Sequence, residues 1–255
     1  MKISVLTVFP ELVQFIAQWG ILGKAIESRK ITFSATQLRD FTHDTHRTTD
    51  DYPFGGGPGM VMKPEPIFEW WDREKASELS PWVIFPSPQG RPFDTEIARK
   101  WSKMDHIAFI CGRYEGLDER VMTLVHEEVS LGDFVTSGGE LPVMIMVDAI
   151  SRFVEGVVGN ADSVENDSFA HGWLDYGHYT RPAEFRSMKV PETLLSGDHK
   201  KIFRRQKRES IIRTMAKRPD LFRSKEFTEE EREWILDIVI GAIIHQKKKK
   251  GNTDA

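Results

Sequence analysis

The chain has 255 residues, of which 40% are apolar and 29% are charged, the balance of an ordinary globular protein. A single cysteine, Cys111, excludes an internal disulfide framework and favours a reducing, cytoplasmic location. No run approaches the roughly 20 consecutive apolar residues of a membrane helix. The net charge of −4 does not indicate a nucleic-acid binder by itself, so the distribution of charge matters more than its sum.

Residues 1–135 alternate short β-type runs with amphipathic segments. The predicted strands are Ile3–Phe9, Ile31–Thr36, Trp82–Phe85, His106–Cys111 and Glu127–Leu131. The predicted helices between them are Pro10–Arg29, Pro64–Glu78, Asp94–Lys103 and Leu117–Val125. Because parallel strands need a crossover segment, usually a helix, this alternation predicts an α/β fold with a mainly parallel sheet.

The composition changes after a long apolar helix predicted over Gly139–Val157. That helix has little polar face, so we expect it to be deeply packed or to lie at a subunit interface. Residues 159–172 are polar, acidic and almost without aliphatic side chains, which is typical of an interdomain linker or a mobile loop. We therefore predict an α/β domain over 1–158, a linker over 159–172, a helical basic domain over 173–246 and a polar tail over 247–255.

The helical half carries a dense basic run. Nine cations, against one acid (Glu209), lie between Lys200 and Arg218: Lys200, Lys201, Arg204, Arg205, Lys207, Arg208, Arg213, Lys217 and Arg218. Such a run is either a solvated helix face or a surface that contacts nucleic-acid phosphates. Thr228 and Glu231 have the spacing of a capping box, which predicts the start of a last helix.

Three glycine-containing loops follow consecutive predicted strands. They are Ser87–Gly90, Gly112–Gly116 and Leu131–Glu140. In parallel α/β sheets, ligands bind beyond the carboxyl ends of the strands, and glycine lets backbone groups approach a ligand closely. One such loop would be an ordinary tight turn, but three together favour a ligand pocket.

The usual phosphate-binding motifs are missing from the sequence. No G-x-G-x-x-G follows the first strand, and there is no G-x-x-x-x-G-K-[ST]. The run Phe54–Met60 is glycine-rich, but it lacks the lysine and the hydroxyl of a phosphate loop, and Asp50 and Asp51 precede it. A nucleotide hydrolase is therefore disfavoured.

Several longer motifs resemble one enzyme family. They are HRTTDDYPFGGGPGMVM (46–62), SPQG (87–90), CGRYEGLDERV (111–121), SLGDFVTSGGELPVMIMVDAISR (130–152), DSF (167–169), LDYGHYTRP (174–182) and VPETLLSGDH (190–199). In this order they resemble the bacterial tRNA (guanine-N1)-methyltransferases, which modify the guanine beside the anticodon, at tRNA position 37. The resemblance implies a deep trefoil knot in the α/β domain and a homodimer whose active site lies between the subunits.

The resemblance also implies which residues bind the methyl donor, S-adenosyl-L-methionine. They are Phe85, Pro86, Ser87, Pro88, Gly112, Tyr114, Glu115, Leu131, Gly132, Asp133, Phe134, Val135, Thr136, Gly138 and Gly139. Phe85-Pro86 stands where the family usually has Tyr-Leu, and Phe134 replaces a frequent tyrosine. A requirement for Mg²⁺ is left open, and the sequence names no metal ligand.

For the tRNA, the resemblance implies contacts from residues in both halves of the chain. They are His46, Asp50, Gly55, Gly56, Gly57, Pro58, Gly59 and Ser168, to which the basic run adds Arg204 and Arg208. It assigns Asp167 as the general base that removes the proton from guanine N1, and Arg152 as the cation that stabilises O6. From the residues alone, Arg152 is equally an i,i+4 partner of Asp148, and Asp167-Ser168 a turn or a cap.

Two other functions remain open from the sequence. One is a knotted RNA methyltransferase acting on a ribose 2′-hydroxyl, which would leave the GGGPGM and DSF motifs without a role. The other is a non-catalytic RNA-binding protein that uses the basic half alone, which would bind RNA but not the methyl donor.

Overall fold

The structure, a computed structural model, describes residues 1–159 and 167–251, with side chains through residue 241. The predicted linker 159–172 and tail 247–255 therefore lie partly outside the described residues. The chain forms two compact units, Met1–Ala161 and Asp162–Ala255.

The first unit is built on a five-stranded sheet. Its strands are β1 (Lys2–Thr7), β2 (Thr32–Gln37), β5 (Trp82–Pro92), β6 (His106–Ile110) and β7 (Glu127–Ser130), in the order β2-β1-β6-β5-β7. All four neighbouring pairs are parallel, which confirms the predicted α/β fold with a mainly parallel sheet. Two short strands, β3 (Asp50–Asp51) and β4 (Val61–Met62), form a separate antiparallel pair.

Helices cover both faces of this sheet. They are α1 (Pro10–Ala17), α2 (Gly20–Glu27), α3 (Pro64–Lys75), α4 (Thr95–Trp101) and α5 (Glu140–Ser151), with 3-10 helices over Leu38–Phe41 and Glu119–Leu124. Successive strand residues point to opposite faces, so Ile107 and Phe109 join one apolar cluster while Ala108 and Ile110 join another. The first cluster contains α1, α2, α4 and α5, and the second contains α3.

Three predicted helices differ clearly from the structure, while those predicted over Pro64–Glu78 and Asp94–Lys103 are shorter by three residues each. The segment predicted as one helix over Pro10–Arg29 is two helices, because Trp19 is extended and Gly20 has a φ of +66°, in the left-handed region. The helix predicted over Leu117–Val125 is a 3-10 helix of six residues. The apolar helix predicted to end at Val157 ends at Ser151, and turns follow it.

The second unit contains a two-stranded hairpin, β8 (Glu184–Phe185) with β9 (Met188–Lys189), and four helices among its described residues. These are α6 (Glu192–Leu195), α7 (His199–Lys217), α8 (Pro219–Ser224) and α9 (Glu229–Gly251). The capping box is confirmed, since the Thr228 amide donates to Glu231 and the Glu231 amide donates to the Thr228 hydroxyl. Trp173, Ile211 and Ile238 form the small core, and α9 continues into the segment predicted as a polar tail.

Within the described ranges, none of the helices combines the length and the apolar character that crossing a bilayer requires.

The buried His106 predicts how the first unit responds to acid. Its Nδ1 lies 2.8 Å from the Leu79 carbonyl, which can only accept, so Nε2, 2.9 Å from the Ser4 hydroxyl, is the acceptor of a neutral ring. Burial lowers the pKa of His106 below its ordinary value of 6.5 and outweighs the hydrogen bond to the Leu79 carbonyl, which raises it. The smaller effects of the charges on Lys2 and Glu74 oppose each other. The unfolded chain therefore takes up a proton at a higher pH than the folded one. We expect the free energy of unfolding to fall as the pH decreases below about 6.5.

Denaturant unfolding between pH 7.5 and 5.5 measures this effect. His106→Asn should flatten the pH dependence, whereas His46→Asn, at an exposed position, should leave it unchanged. If the free energy of unfolding of His106→Asn depended on pH as steeply as that of wild type, other groups would be responsible for the effect.

Candidate active site

Three loops at the carboxyl edge of the sheet enclose a cleft of about 450 Å³ in the first unit. Such a volume lies within the range of roughly 300–1,000 Å³ that is typical of small-molecule sites. Of the residues predicted to bind the methyl donor, all but one line it: Phe85, Pro86, Ser87, Pro88, Gly112, Tyr114, Glu115, Leu131, Gly132, Phe134, Val135, Thr136, Gly138 and Gly139. The exception, Asp133, is exposed and outside the lining.

The first loop is a bulge within β5. Val129 of β7 pairs with both Pro86 and Arg91, so the residues between them leave the ladder, and Ser87, Pro88 and Gln89 line the cleft. A side chain at Gly90 would place its Cβ 2.2 Å from the Val129 amide nitrogen, so only glycine fits where the bulge returns. The strand predicted from the sequence ends at Phe85, whereas β5 continues after the loop. The sequence pattern does not show this continuation.

The second and third loops lie directly against each other. The Gly139 amide donates to the Gly112 carbonyl at 2.8 Å, and Arg113 and Gly138 form an isolated antiparallel bridge. A Cβ at Gly139 would stand 2.8 Å from the Cα of Cys111, so this contact requires glycine. Burial raises the pKa of the Cys111 thiol well above its ordinary value, so Cys111 is a neutral packing residue.

The charge of the cleft is negative. Three carboxylates line it, those of Glu115, Glu119 and Glu128. The one lining cation is Arg113, and its guanidinium is paired with Glu140 at 2.9 Å. No lysine is among the lining residues. The arrangement suits a cationic or neutral ligand bound largely through backbone groups and disfavours a polyphosphate.

The glycine-rich segment 54–60 is joined to the second loop. The Glu115 amide donates to the Met60 carbonyl at 3.0 Å, and the Met62 amide donates to the Gly116 carbonyl at 2.9 Å. A Cβ at Gly59 would stand 2.5 Å from Oε1 of Glu115, which itself lines the cleft. The residues predicted to meet the substrate are therefore next to those predicted to bind the donor.

The glycine-rich segment presents its backbone and apolar side chains to solvent. Gly55, Gly56, Gly57 and Gly59 all have positive φ, and Pro58 is exposed. Asp50 is half-buried in β3, and His46 is exposed.

Arg152 lies at the far end of α5 from the cleft. It is the C-cap of that helix, whereas Gly139 and Glu140 begin the helix beside the third loop. Twelve residues of α-helix, at a rise of 1.5 Å each, separate Glu140 from Arg152 by about 18 Å. Arg152 is outside the lining of the cleft.

Asp167 and Ser168 belong to the second unit. Asp167 lines a cavity of about 270 Å³ whose walls include Tyr176, Phe203 and Lys207. The Ser168 hydroxyl accepts from the Asp175 amide at 2.9 Å, so its position is fixed by the chain that follows.

The basic run forms most of α7. Arg204 and Arg208 are exposed, and neither forms an ion pair with a residue that the structure describes. Glu209, the one acid in the run, pairs with Arg213 at 2.7 Å. At the two ends of the run, Lys201 pairs with Asp198 and Arg218 pairs with Asp220.

Several cleft residues were missing from the predicted set. Gln89, Arg113, Ser137 and Gly116 stand inside the predicted glycine loops, so loop membership was a usable signal for them. Glu119, Met122, Glu128 and Pro142 come from neighbouring elements, and nothing in the sequence pattern directs them to the cleft.

A metal site is not apparent in the described part of the chain, where no group of three or more His, Cys, Asp or Glu side chains is arranged to hold a metal ion.

The fold and the cleft define a class of protein: an α/β protein with a small-molecule site at the carboxyl edge of a parallel sheet, built without a phosphate loop. The model of the tRNA (guanine-1)-methyltransferase family TrmD matches residues 1–224. The tRNA (guanine-N(1)-)-methyltransferase of Thermosipho africanus is 52% identical over 94% of this chain and 97% of its own length. The chain belongs to this methyltransferase family.

The similarity extends to enzymes with the same name from other bacteria. That of Thermotoga petrophila is 49% identical over 93% of this chain and 97% of its own length. That of Latilactobacillus sakei is 46% identical over the same shares of the two chains.

Proposed function

We propose that this protein transfers a methyl group from S-adenosyl-L-methionine to N1 of guanine 37 in tRNA, beside the anticodon. The observation that carries the proposal is the cleft: three glycine loops at the carboxyl edge of the sheet, in a chain of this family. The glycine-rich segment 54–60 lies against Glu115, which lines the cleft, so a guanine bound by this segment would be next to the donor.

The residues of the cleft fit the donor. S-adenosyl-L-methionine supplies a methyl group on a cationic sulfonium, and the carboxylates of Glu115, Glu119 and Glu128 in the lining of the cleft suit that charge. Backbone groups of the loops at Leu131–Thr136 and Gly112 can hydrogen-bond an adenine edge without charged side chains. Phe85 and Pro86 stand where the family usually has a tyrosine and a leucine. Both are apolar, so this side of the cleft stays apolar.

The chemistry assigned to Asp167 and Arg152 follows from the substrate. Guanine N1 bears a proton, and removing it generates negative charge on O6. The Asp167 carboxylate accepts that proton, and the Arg152 guanidinium stabilises O6. The cavity that Asp167 lines, with the aromatic rings of Tyr176 and Phe203, is large enough for a nucleobase and supports this role.

We further propose that the active site forms between two copies of the chain. Arg152 is about 18 Å along α5 from the cleft of its own chain, too far to reach the methyl group there. An apolar surface over α1, α2 and α5 is exposed in one chain, and it consists of Phe9, Leu12, Phe15, Trp19, Ile21, Leu141 and Ile145. Such a patch is typical of a subunit interface.

The finer features of the fold belong to the same proposal. We expect a trefoil knot around the three loops, which the close contact of the second and third loops supports. We expect residues 1–158 and 173–246 to act as catalytic and tRNA-binding domains joined by 159–172. We also expect a cytoplasmic enzyme, in agreement with its single, buried cysteine.

Nucleoside mass spectrometry of tRNA methylated by the purified protein tests the proposal, with and without Mg²⁺. We expect 1-methylguanosine. A 2′-O-methylated nucleoside would identify the ribose methyltransferase instead, and tRNA binding without calorimetric binding of the donor would identify a non-catalytic RNA-binding protein.

Reversing the charges of Arg204 and Arg208 should weaken tRNA binding. Each lost phosphate contact lowers the slope of log affinity against log salt by about 0.7–0.9. The matched control is Lys75→Glu with Lys103→Glu, which reverses two exposed charges near the amino ends of β5 and β6. Filter binding at several salt concentrations measures both, and an unchanged slope in the Arg204→Glu/Arg208→Glu variant would mean that α7 does not contact RNA.

A further inference from the structure

Arg113 connects separate segments of the first unit through its side chain. Its Nε donates to Glu140 Oε1 at 3.3 Å, and its second terminal nitrogen lies 2.9 Å from Oε2 of the same carboxylate. The other terminal nitrogen donates to the Ser137 carbonyl at 3.2 Å. The guanidinium also lies over the Phe9 ring, 4.5 Å from its centroid.

Glu140 is the buried half of this pair. It is only 1% exposed, and its Oε1 also accepts from the Thr7 hydroxyl at 2.7 Å. Thr7 ends β1, Arg113 follows β6, and Glu140 begins α5. The carboxylate therefore ties the ends of two neighbouring strands to the start of the helix that follows the third loop.

The carboxyl end of the third loop contacts Arg113. Gly138 bridges to the Arg113 backbone, and a Cβ at Gly138 would stand 2.3 Å from the Arg113 Nε, so the loop lies directly on this side chain. Residues 133–137 are exposed. The Arg113 contacts are therefore in a position to fix how the loop faces the cleft.

We propose that Arg113, held by Glu140, is a positioning residue for the methyl donor: it fixes the loop 131–139 in the shape that receives the donor's nucleoside. This inference rests on the proposed donor site. The planar guanidinium serves a carboxylate, a carbonyl and an aromatic face together, and a lysine ammonium keeps the charge but cannot meet all three in this geometry.

Arg113→Lys and Glu140→Gln test the proposal by calorimetric titration with S-adenosyl-L-methionine, beside steady-state kinetics. We expect the dissociation constant and the KM for the donor to rise about tenfold in each variant, since a tenfold change is what one lost charged contact typically produces. The kcat at saturating donor and the affinity for tRNA should stay within about twofold of wild type.

Ile67→Val is the matched control for a general loss of stability, because Ile67 is fully buried in the second apolar cluster, which excludes the loop. It should lower the melting temperature while donor affinity is kept. Unchanged donor affinity in Arg113→Lys, or an equal loss in Ile67→Val at an equal loss of melting temperature, would overturn the positioning role. Failure of the wild-type protein to bind the donor would overturn the donor site as well, so the two failures are distinguishable.

Discussion

Asp167→Asn is expected to abolish methyl transfer while the protein still binds S-adenosyl-L-methionine. An amide keeps the size of the side chain but cannot accept the proton of guanine N1 at neutral pH. General-base catalysis contributes about 10²- to 10⁴-fold, so kcat should fall by at least two orders of magnitude. Single-turnover transfer from labelled donor measures the chemical step, and calorimetry measures donor binding.

The matched control for this variant is Asp105→Asn. It makes the same change at an exposed aspartate directly before β6, at the opposite edge of the sheet from the cleft, and its turnover should stay close to that of wild type. If Asp167→Asn retained more than about one tenth of wild-type single-turnover rate, the group that accepts the proton would have to be another one.

Arg152→Ala should also lower kcat strongly, by about 10²- to 10³-fold, the range measured when one fixed donor to a developing oxyanion is removed. Donor affinity should be unchanged, because the proposed contact of Arg152 is with O6 of the guanine and not with the donor. The pH dependence of the remaining activity should shift upward, since O6 and N1 lose the cation that favours the deprotonated base.

Mixing two inactive variants tests where Arg152 acts. Gly132→Val should disable the cleft, because Gly132 has a φ of +146° that a β-branched residue does not adopt. In mixed dimers, the intact cleft of an Arg152→Ala chain meets the intact Arg152 of a Gly132→Val chain. Random exchange should then restore about one quarter of wild-type activity. No recovery in mixtures shown to contain heterodimers would mean that Arg152 does not complete a partner's site.

The sheet was predictable because its strands are short apolar runs separated by helical segments. The parallel order β2-β1-β6-β5-β7 still had to come from the structure, since local pattern does not say which strands are neighbours. The break in the segment 10–29 was missed, because its apolar periodicity continues across Trp19 and Gly20, and only the backbone shows the extended residue and the positive φ.

The cleft was predictable in part, for a related reason. The glycine loops at strand ends predicted a ligand pocket. The resemblance to the family indicated which ligand binds there and which individual residues bind it. Glu119 and Glu128 were missed because they come from a 3-10 helix and from β7, and only the tertiary fold brings their carboxylates to the cleft. The roles of Asp167 and Arg152 stay predictions, since the proposal places both at bound RNA and Arg152 at a second chain.

Transfer of labelled methyl groups into two matched tRNAs tests the central claim most directly. One carries guanine at position 37, and the other is identical except for adenine there. We expect close to one methyl group per molecule in the first tRNA, recovered as 1-methylguanosine at position 37, and none in the second. Equal incorporation into both, or a methyl group on ribose or at another position, would contradict it.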